Sequence, residues 1–144
     1  MSQHILIPVD RSPYSKKSFE YVLKNVSEPK ILLLHVVDPV SAFEYSGEAY
    51  VDFEGYQQEE ERRRNQAEQM LNEFRKESLE YGLEVETAIK IGKPAKRILE
   101  TAEEHDIDHI VMGSRGRSGV GRVLLGSVAE TVTRRSTVPV TIIR

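Results

Sequence analysis

The sequence predicts a doubly wound α/β domain, a five-stranded parallel sheet of order 3-2-1-4-5 with helices on both faces, and three observations predict it. Five short β-rich runs alternate with four helical patterns, the alternation that builds a parallel sheet from strand–helix–strand units. The runs are near-continuously apolar, as in Ile5-Leu6-Ile7-Pro8-Val9 and Leu32-Leu33-Leu34, which suits strands buried on both sides. No internal repeat, low-complexity tract or linker interrupts the 144 residues. At that length one domain can bury roughly 68–70% of its unfolded surface, so residues 1–144 are read as a single domain.

The elements follow in order. After the first strand, Ser12 stands as a helix N-cap with Pro13 at the first helical position, and Phe19, Val22, Leu23 and Val26 recur at helical spacing on one face. Pro29 separates this helix from the second strand, Ile31 to Val37. Asp38-Pro39 ends that strand, and the segment to about Tyr56 has no clear period, although it carries Phe43, Tyr45, Tyr50, Phe53 and Tyr56. It reads as a surface loop, with a lid over a ligand as the sharper alternative. A long helix is expected from Gln57 to Tyr81, with Ala67, Met70, Leu71 and Phe74 inward. Its charged start pairs Glu59 with Arg63 and Glu60 with Arg64 at i, i+4, the pattern of an exposed helix rather than a binding site. Gly82 stops it. Val85 to Ile91 is the third strand, and Gly92-Lys93-Pro94 leads into a helix with Ala95, Ile98, Leu99 and Ala102 inward. Ile107 to Met112 is the fourth strand. A last helix runs from about Ser127 to Arg135, and Val138 to Ile143 forms a final strand whose outer edge invites pairing with another chain.

Composition narrows the function. The chain has no cysteine, which excludes disulfides, thiolate metal sites and cysteine nucleophiles. Its four histidines show no metal spacing, and His35, at the end of an apolar strand, reads as a packed residue. A formal charge of −3 opposes general nucleic-acid binding. No apolar run approaches 18 residues and the amino terminus lacks a signal-peptide pattern. A cytoplasmic protein without membrane insertion is the expectation.

The chemistry concentrates where the fourth strand meets the last helix. Gly113-Ser114-Arg115-Gly116 is followed, nine residues on, by Gly126-Ser127. Glycines 113 and 116 admit positive φ and close approach of an anion. A helix starting at Ser127 offers unbonded N–H groups and the positive end of its dipole. In a doubly wound sheet, ligands lie beyond the carboxyl ends of the strands where the order reverses. There Asp10, just after strand one, and Gly113, just after strand four, face one cleft. A carboxylate for ribose hydroxyls beside a phosphate cradle implies a nucleotide, with capping of the first helix as the competing role for Asp10. Residues 116–123 imitate a Walker A spacing, but Arg122 and Val123 replace its lysine and hydroxyl. The dinucleotide G-x-G-x-x-G is absent too, since the loop after strand one reads Asp10-Arg11-Ser12.

These residues resemble the universal stress protein family, in particular its nucleotide-binding branch with the spacing G-x2-G-x9-G-[ST]. Gly113, Gly116, Gly126 and Ser127 match it without a gap. The likeness extends to Ile5-Leu6-Ile7-Pro8-Val9-Asp10, Leu34-His35-Val36, Gly92-Lys93-Pro94 and Val138-Pro139-Val140. The resemblance implies an adenine nucleotide alpha hydrolase-like fold that dimerises through the last strand and binds ATP or another adenine nucleotide, with magnesium. It places Pro8, Val9 and Asp10 by the adenosine and the Val36 backbone at the adenine. Met112, Gly113, Ser114, Arg115, Gly116, Arg117, Ser118 and Gly119 fall around the phosphates, and Gly126, Ser127, Val128 and Ala129 at the helix start. Arg115 stands where many relatives have histidine, and Gly119 and Gly121 add freedom the motif does not require.

No complete catalytic set is legible. The expected function is a nucleotide-dependent signalling or regulatory module in stress response, acting on an unidentified protein target. A slow ATP hydrolase or phosphotransfer protein, with Asp10 and nearby arginines as its pieces, and an interaction module that binds no nucleotide are the alternatives.

Overall fold

The computed structural model describes residues 2–39, 53–115 and 125–144. Among these the chain runs β1 (His4–Pro8), α1 (Pro13–Asn25), β2 (Lys30–Val37), α2 (Phe53–Glu80), β3 (Val85–Ile91), α3 (Pro94–Glu104), β4 (His109–Gly113), α4 (Ser127–Arg135) and β5 (Val140–Ile143). The five strands form one sheet of order β3-β2-β1-β4-β5, all pairs parallel.

Successive side chains of a strand point to opposite faces, and β1 shows the result. Ile5 and Ile7 join Ile31, Leu33 and Val111 under α1 and α2, where Phe19, Val22, Met70 and Leu71 close the layer. Leu6 joins Leu32, Leu34, Ile110 and Met112 on the other face, against Ile98 and Ala102 of α3 and Val132 of α4. Phe19 and Phe74 meet edge to face with centroids 5.3 Å apart, a geometry that adds about 0.5–1.5 kcal/mol beyond burial. Both apolar patterns read from α1 and α2 therefore face the core.

Some boundaries differ from the sequence expectation, each for a local reason. Helix α2 starts at Phe53, not Gln57, so Phe53 and Tyr56 are helical, and Phe53 is 68% exposed. Phe43, Tyr45 and Tyr50 lie outside the described residues. Strand β4 starts at His109 rather than Ile107, because the Ile107 amide donates to the Ala102 carbonyl (2.9 Å) and closes α3. Strand β5 starts at Val140, after a Ser136–Val138 turn held by the Ser136 hydroxyl. Gly82 ends α2 at φ +71°, the left-handed conformation glycine adopts without strain.

Candidate nucleotide cleft

The chain winds outward from β1 to β3, returns, and winds outward again through β4 and β5. The carboxyl ends of β1 and β4 therefore flank the point where the order reverses. A cleft of about 1000 Å³ opens there.

At the β1–α1 junction the backbone is stitched by its own side chains. Asp10 Oδ1 accepts from the Ser12 amide (2.8 Å) and from the Ser15 hydroxyl (2.9 Å), while the Asp10 amide donates to Ser15 Oγ (2.7 Å). Ser12 is the N-cap by backbone position, but its hydroxyl makes no cap bond and is buried without a partner. Asp10 thus takes the capping role expected of Ser12, and it also lines the cleft. His35 Nδ1 donates to the Val9 carbonyl (2.7 Å), since a carbonyl can only accept. As the sequence suggested, His35 is a packed residue tying the end of β2 to β1.

The β4–α4 junction is built differently. The N-cap is Gly126, extended at φ −70° and ψ 164°, and Ser127 is the first helical residue rather than the cap. The Gly126 amide donates to the Ser114 carbonyl (2.6 Å), and the Ser114 amide donates to the Ile143 carbonyl (2.8 Å). The first helical bond runs from the Glu130 amide to the Gly126 carbonyl (2.9 Å). No side chain caps α4, so the amides of Ser127, Val128 and Ala129 are left at the helix start beside the cleft.

Gly113 has no positive φ; among the described glycines only Gly82 and Gly92 do. Its missing side chain answers a close approach, because a Cβ there would collide with Tyr14 Cβ in the first turn of α1. The glycine brings β4 and α1 together, so the expected left-handed turn at Gly113 is corrected.

Of the site residues expected from sequence, Pro8, Val9, Asp10, Val36, Met112, Gly113, Arg115, Gly126, Ser127, Val128 and Ala129 line the cleft together. Ser114 is 3% exposed and is not part of the lining; its backbone serves the β4–α4 junction instead. Gly116, Arg117, Ser118 and Gly119 lie outside the described residues.

Sequence reasoning missed one wall. Arg62, Arg63, Gln66, Ala67 and Met70 of α2 line the cleft, on a helix start assigned to solvent. The expected Glu59–Arg63 pair forms at 3.0 Å, but Glu59 also holds Arg62 through two bonds of 2.8 and 2.6 Å. Arg62 and then Arg63 hold the Glu59 carboxyl down at about 2. Arg63 Nη1 donates to the Asp38 carbonyl (3.0 Å), and Arg11 Nη2 donates to the Gln66 carbonyl (3.3 Å). Helical periodicity separates buried from exposed faces but does not show which part of an exposed face overlooks a strand end. The three consecutive arginines were the available signal.

The model of the universal stress protein family matches residues 1–144. The chain belongs to this family. It is similar to universal stress protein MJ0531 of Methanocaldococcus jannaschii, 32% identical over 143 residues, with 97% of this chain and 81% of that protein covered. The solved structure of MJ0577 from the same organism superposes with a TM-score of 0.83 at 28% identity, covering 99% of this chain and 96% of that one. A family protein of Arabidopsis thaliana, solved with AMP bound, shares the fold at 24% identity and a TM-score of 0.70, with 98% and 90% of the chains covered. No described helix of this family member is long and apolar enough to cross a membrane.

Proposed function

We propose that this universal stress protein binds an adenine nucleotide, ATP or AMP, in the cleft between the β1 and β4 tips and works as a regulatory module. One observation carries the reading. Three consecutive amides at the start of α4 have no side-chain cap and face a cleft at the switch point of the sheet, where backbone donors and the helix dipole favour a phosphate. Asp10 on the opposite side suits ribose hydroxyls, and the apolar edge of the cleft at Pro8 and Val36 suits a base. Magnesium would accompany a triphosphate through the phosphate oxygens. Among the described residues no group of three or more metal-ligating side chains gathers, so the protein's part would be to hold the phosphates.

The outer edge of β5 supports a second proposal of assembly. Among the described residues β5 pairs only with β4, and its four residues are half-buried. Pairing with the same strand of a second copy would satisfy that edge and form a homodimer, the assembly through which we propose that nucleotide state reaches a protein target in the cytoplasm.

Isothermal titration calorimetry with ATP and with AMP tests the binding. Saturable heat is expected from both. Ser127→Asp places a carboxylate at the anion position, and affinity should fall at least about tenfold, a loss of about 1.4 kcal/mol. The same carboxylate at a helix start should leave the thermal midpoint unchanged or raised. Absence of heat with either nucleotide would overturn the proposal.

A further inference from the structure

We infer that the α2 wall is a second anion-recognising position, across the cleft from α4, which fits it to an adenine nucleotide bearing a phosphate on the ribose as well as at the 5′ position. This rests on the nucleotide reading above. Arg62 and Arg63 both line the cleft, Arg62 exposed and held by Glu59, Arg63 half-buried and held by Glu59 and by the Asp38 carbonyl. Arg63 is tied to the backbone just past β2 through Asp38, and Arg11, the residue after Asp10, is tied to the same turn of α2 through Gln66. Bracing of the helix alone would explain the Glu59 contacts. It would not explain why Arg63 reaches off its helix to the end of β2 while facing the cleft.

Charge and spacing agree with this. Glu59 is one carboxylate shared by Arg62 and Arg63, so the arginine pair keeps one positive charge beyond its carboxylate, with Arg11, Asp10 and Asp38 also on the rim. The α4 amides lie past β4, Asp10 lies past β1, and Arg63 lies past β2. The two anion-attracting walls therefore lie past strands two spacings apart, about 10 Å along the sheet, and on its opposite faces, with Asp10 between them. A sugar over the β1 tip with its 5′ phosphate toward α4 turns its hydroxyl edge toward α2. Guanidinium groups match phosphate oxygens in a planar fork, and an arginine beyond the ribose is the chemistry that accepts a ribose phosphate in other nucleotide sites.

Calorimetry on the full chain compares adenosine 5′-monophosphate with adenosine 2′,5′-bisphosphate and adenosine 3′,5′-bisphosphate. One bisphosphate is expected to bind at least about tenfold tighter than the monophosphate. In the double variant Arg62→Gln, Arg63→Gln that ratio should collapse to within about twofold. Arg62→Gln alone, at a side chain 56% exposed, should lose part of it and guards against a folding defect in the double variant. Arg64→Gln, a charge loss at the adjacent position outside the cleft lining, should keep the ratio. Monophosphate binding with no preference for either bisphosphate would overturn the second position while leaving the nucleotide reading intact. An equal loss of preference in Arg64→Gln would also overturn it, since the effect would then belong to the general field. Failure of all three ligands to bind would overturn both readings.

Discussion

The β1–α1 and β4–α4 junctions face the same physical problem at the same end of the sheet and solve it in opposite ways. Each ends a buried strand and starts a helix whose first N–H groups have no helical partner. At β1–α1, Pro13 removes one donor, the Ser15 amide bonds the Ser12 carbonyl (3.2 Å), and Asp10 closes the turn through Ser12 and Ser15. At β4–α4 a glycine occupies the cap position and three amides remain without a side-chain partner. The first junction is closed by the chain's own side chains. The second leaves three amides without a side-chain acceptor, and that difference, more than the presence of glycines, is what supports the proposed phosphate position on the α4 side of the cleft.

The strongest way to break the comparison is at the contact that holds the two junctions together. Gly113→Val drives a side chain into Tyr14, and overpacking of this kind costs about 1–3 kcal/mol. Urea unfolding should show the midpoint falling accordingly. A variant as stable as the parent would mean that Gly113 serves the ligand and not the packing of α1. Next in size is Gly126→Asp, which gives α4 the kind of cap that β1–α1 already has. Its Cβ would lie 3.2 Å from the Ser114 carbonyl oxygen, a tight contact that offsets part of the capping gain of about 1 kcal/mol. Net stability should therefore change little, while ATP affinity measured by calorimetry drops about tenfold or more as the chain's own carboxylate takes the amides. Undiminished affinity would show that the α4 amides are not where the phosphates sit.

Asp10→Ala acts on the other junction and should be milder in binding than in folding. Loss of its bonds to the Ser12 amide and Ser15 hydroxyl should cost about 1–2 kcal/mol by chemical denaturation. Asp10→Asn keeps an acceptor and should recover most of it. If the alanine variant were stable but failed to bind AMP, Asp10 would belong to the ligand alone and the contrast between the junctions would dissolve.

The order of legibility along the chain has physical causes. The sheet was readable because Ile5-Leu6-Ile7 and Leu32-Leu33-Leu34 are apolar on both faces, and the same runs fix the two core layers. The start of α4 at Ser127 was readable because the glycine spacing marks a strand-to-helix turn, with Gly126 at the cap. The reason for Gly113 was not readable, since its constraint comes from Tyr14, 99 positions away in sequence. The arginine wall was missed for the same kind of reason. Glu59, Arg62 and Arg63 look like any solvated helix start until the fold brings that turn over the ends of β1 and β2.

That wall adds a third junction to the comparison, one that presents charged side chains where α4 presents amides, and it predicts the smallest effect. The Glu59 carboxyl is held at about 2, below its ordinary 4.5, chiefly by the Arg62 guanidinium and then by Arg63. A depressed carboxyl stabilises the folded chain above its unfolded value, and the contribution disappears as pH falls from 4.5 through about 2. Glu59→Gln should therefore melt slightly below the parent at neutral pH, and the gap should close as the pH of the melt is lowered toward 2. Because these side chains are solvated, added salt should shrink the gap as well. A gap that stays constant across the acid range would mean that Glu59 acts through packing, so that charge no longer distinguishes the α2 wall from the amide wall of α4.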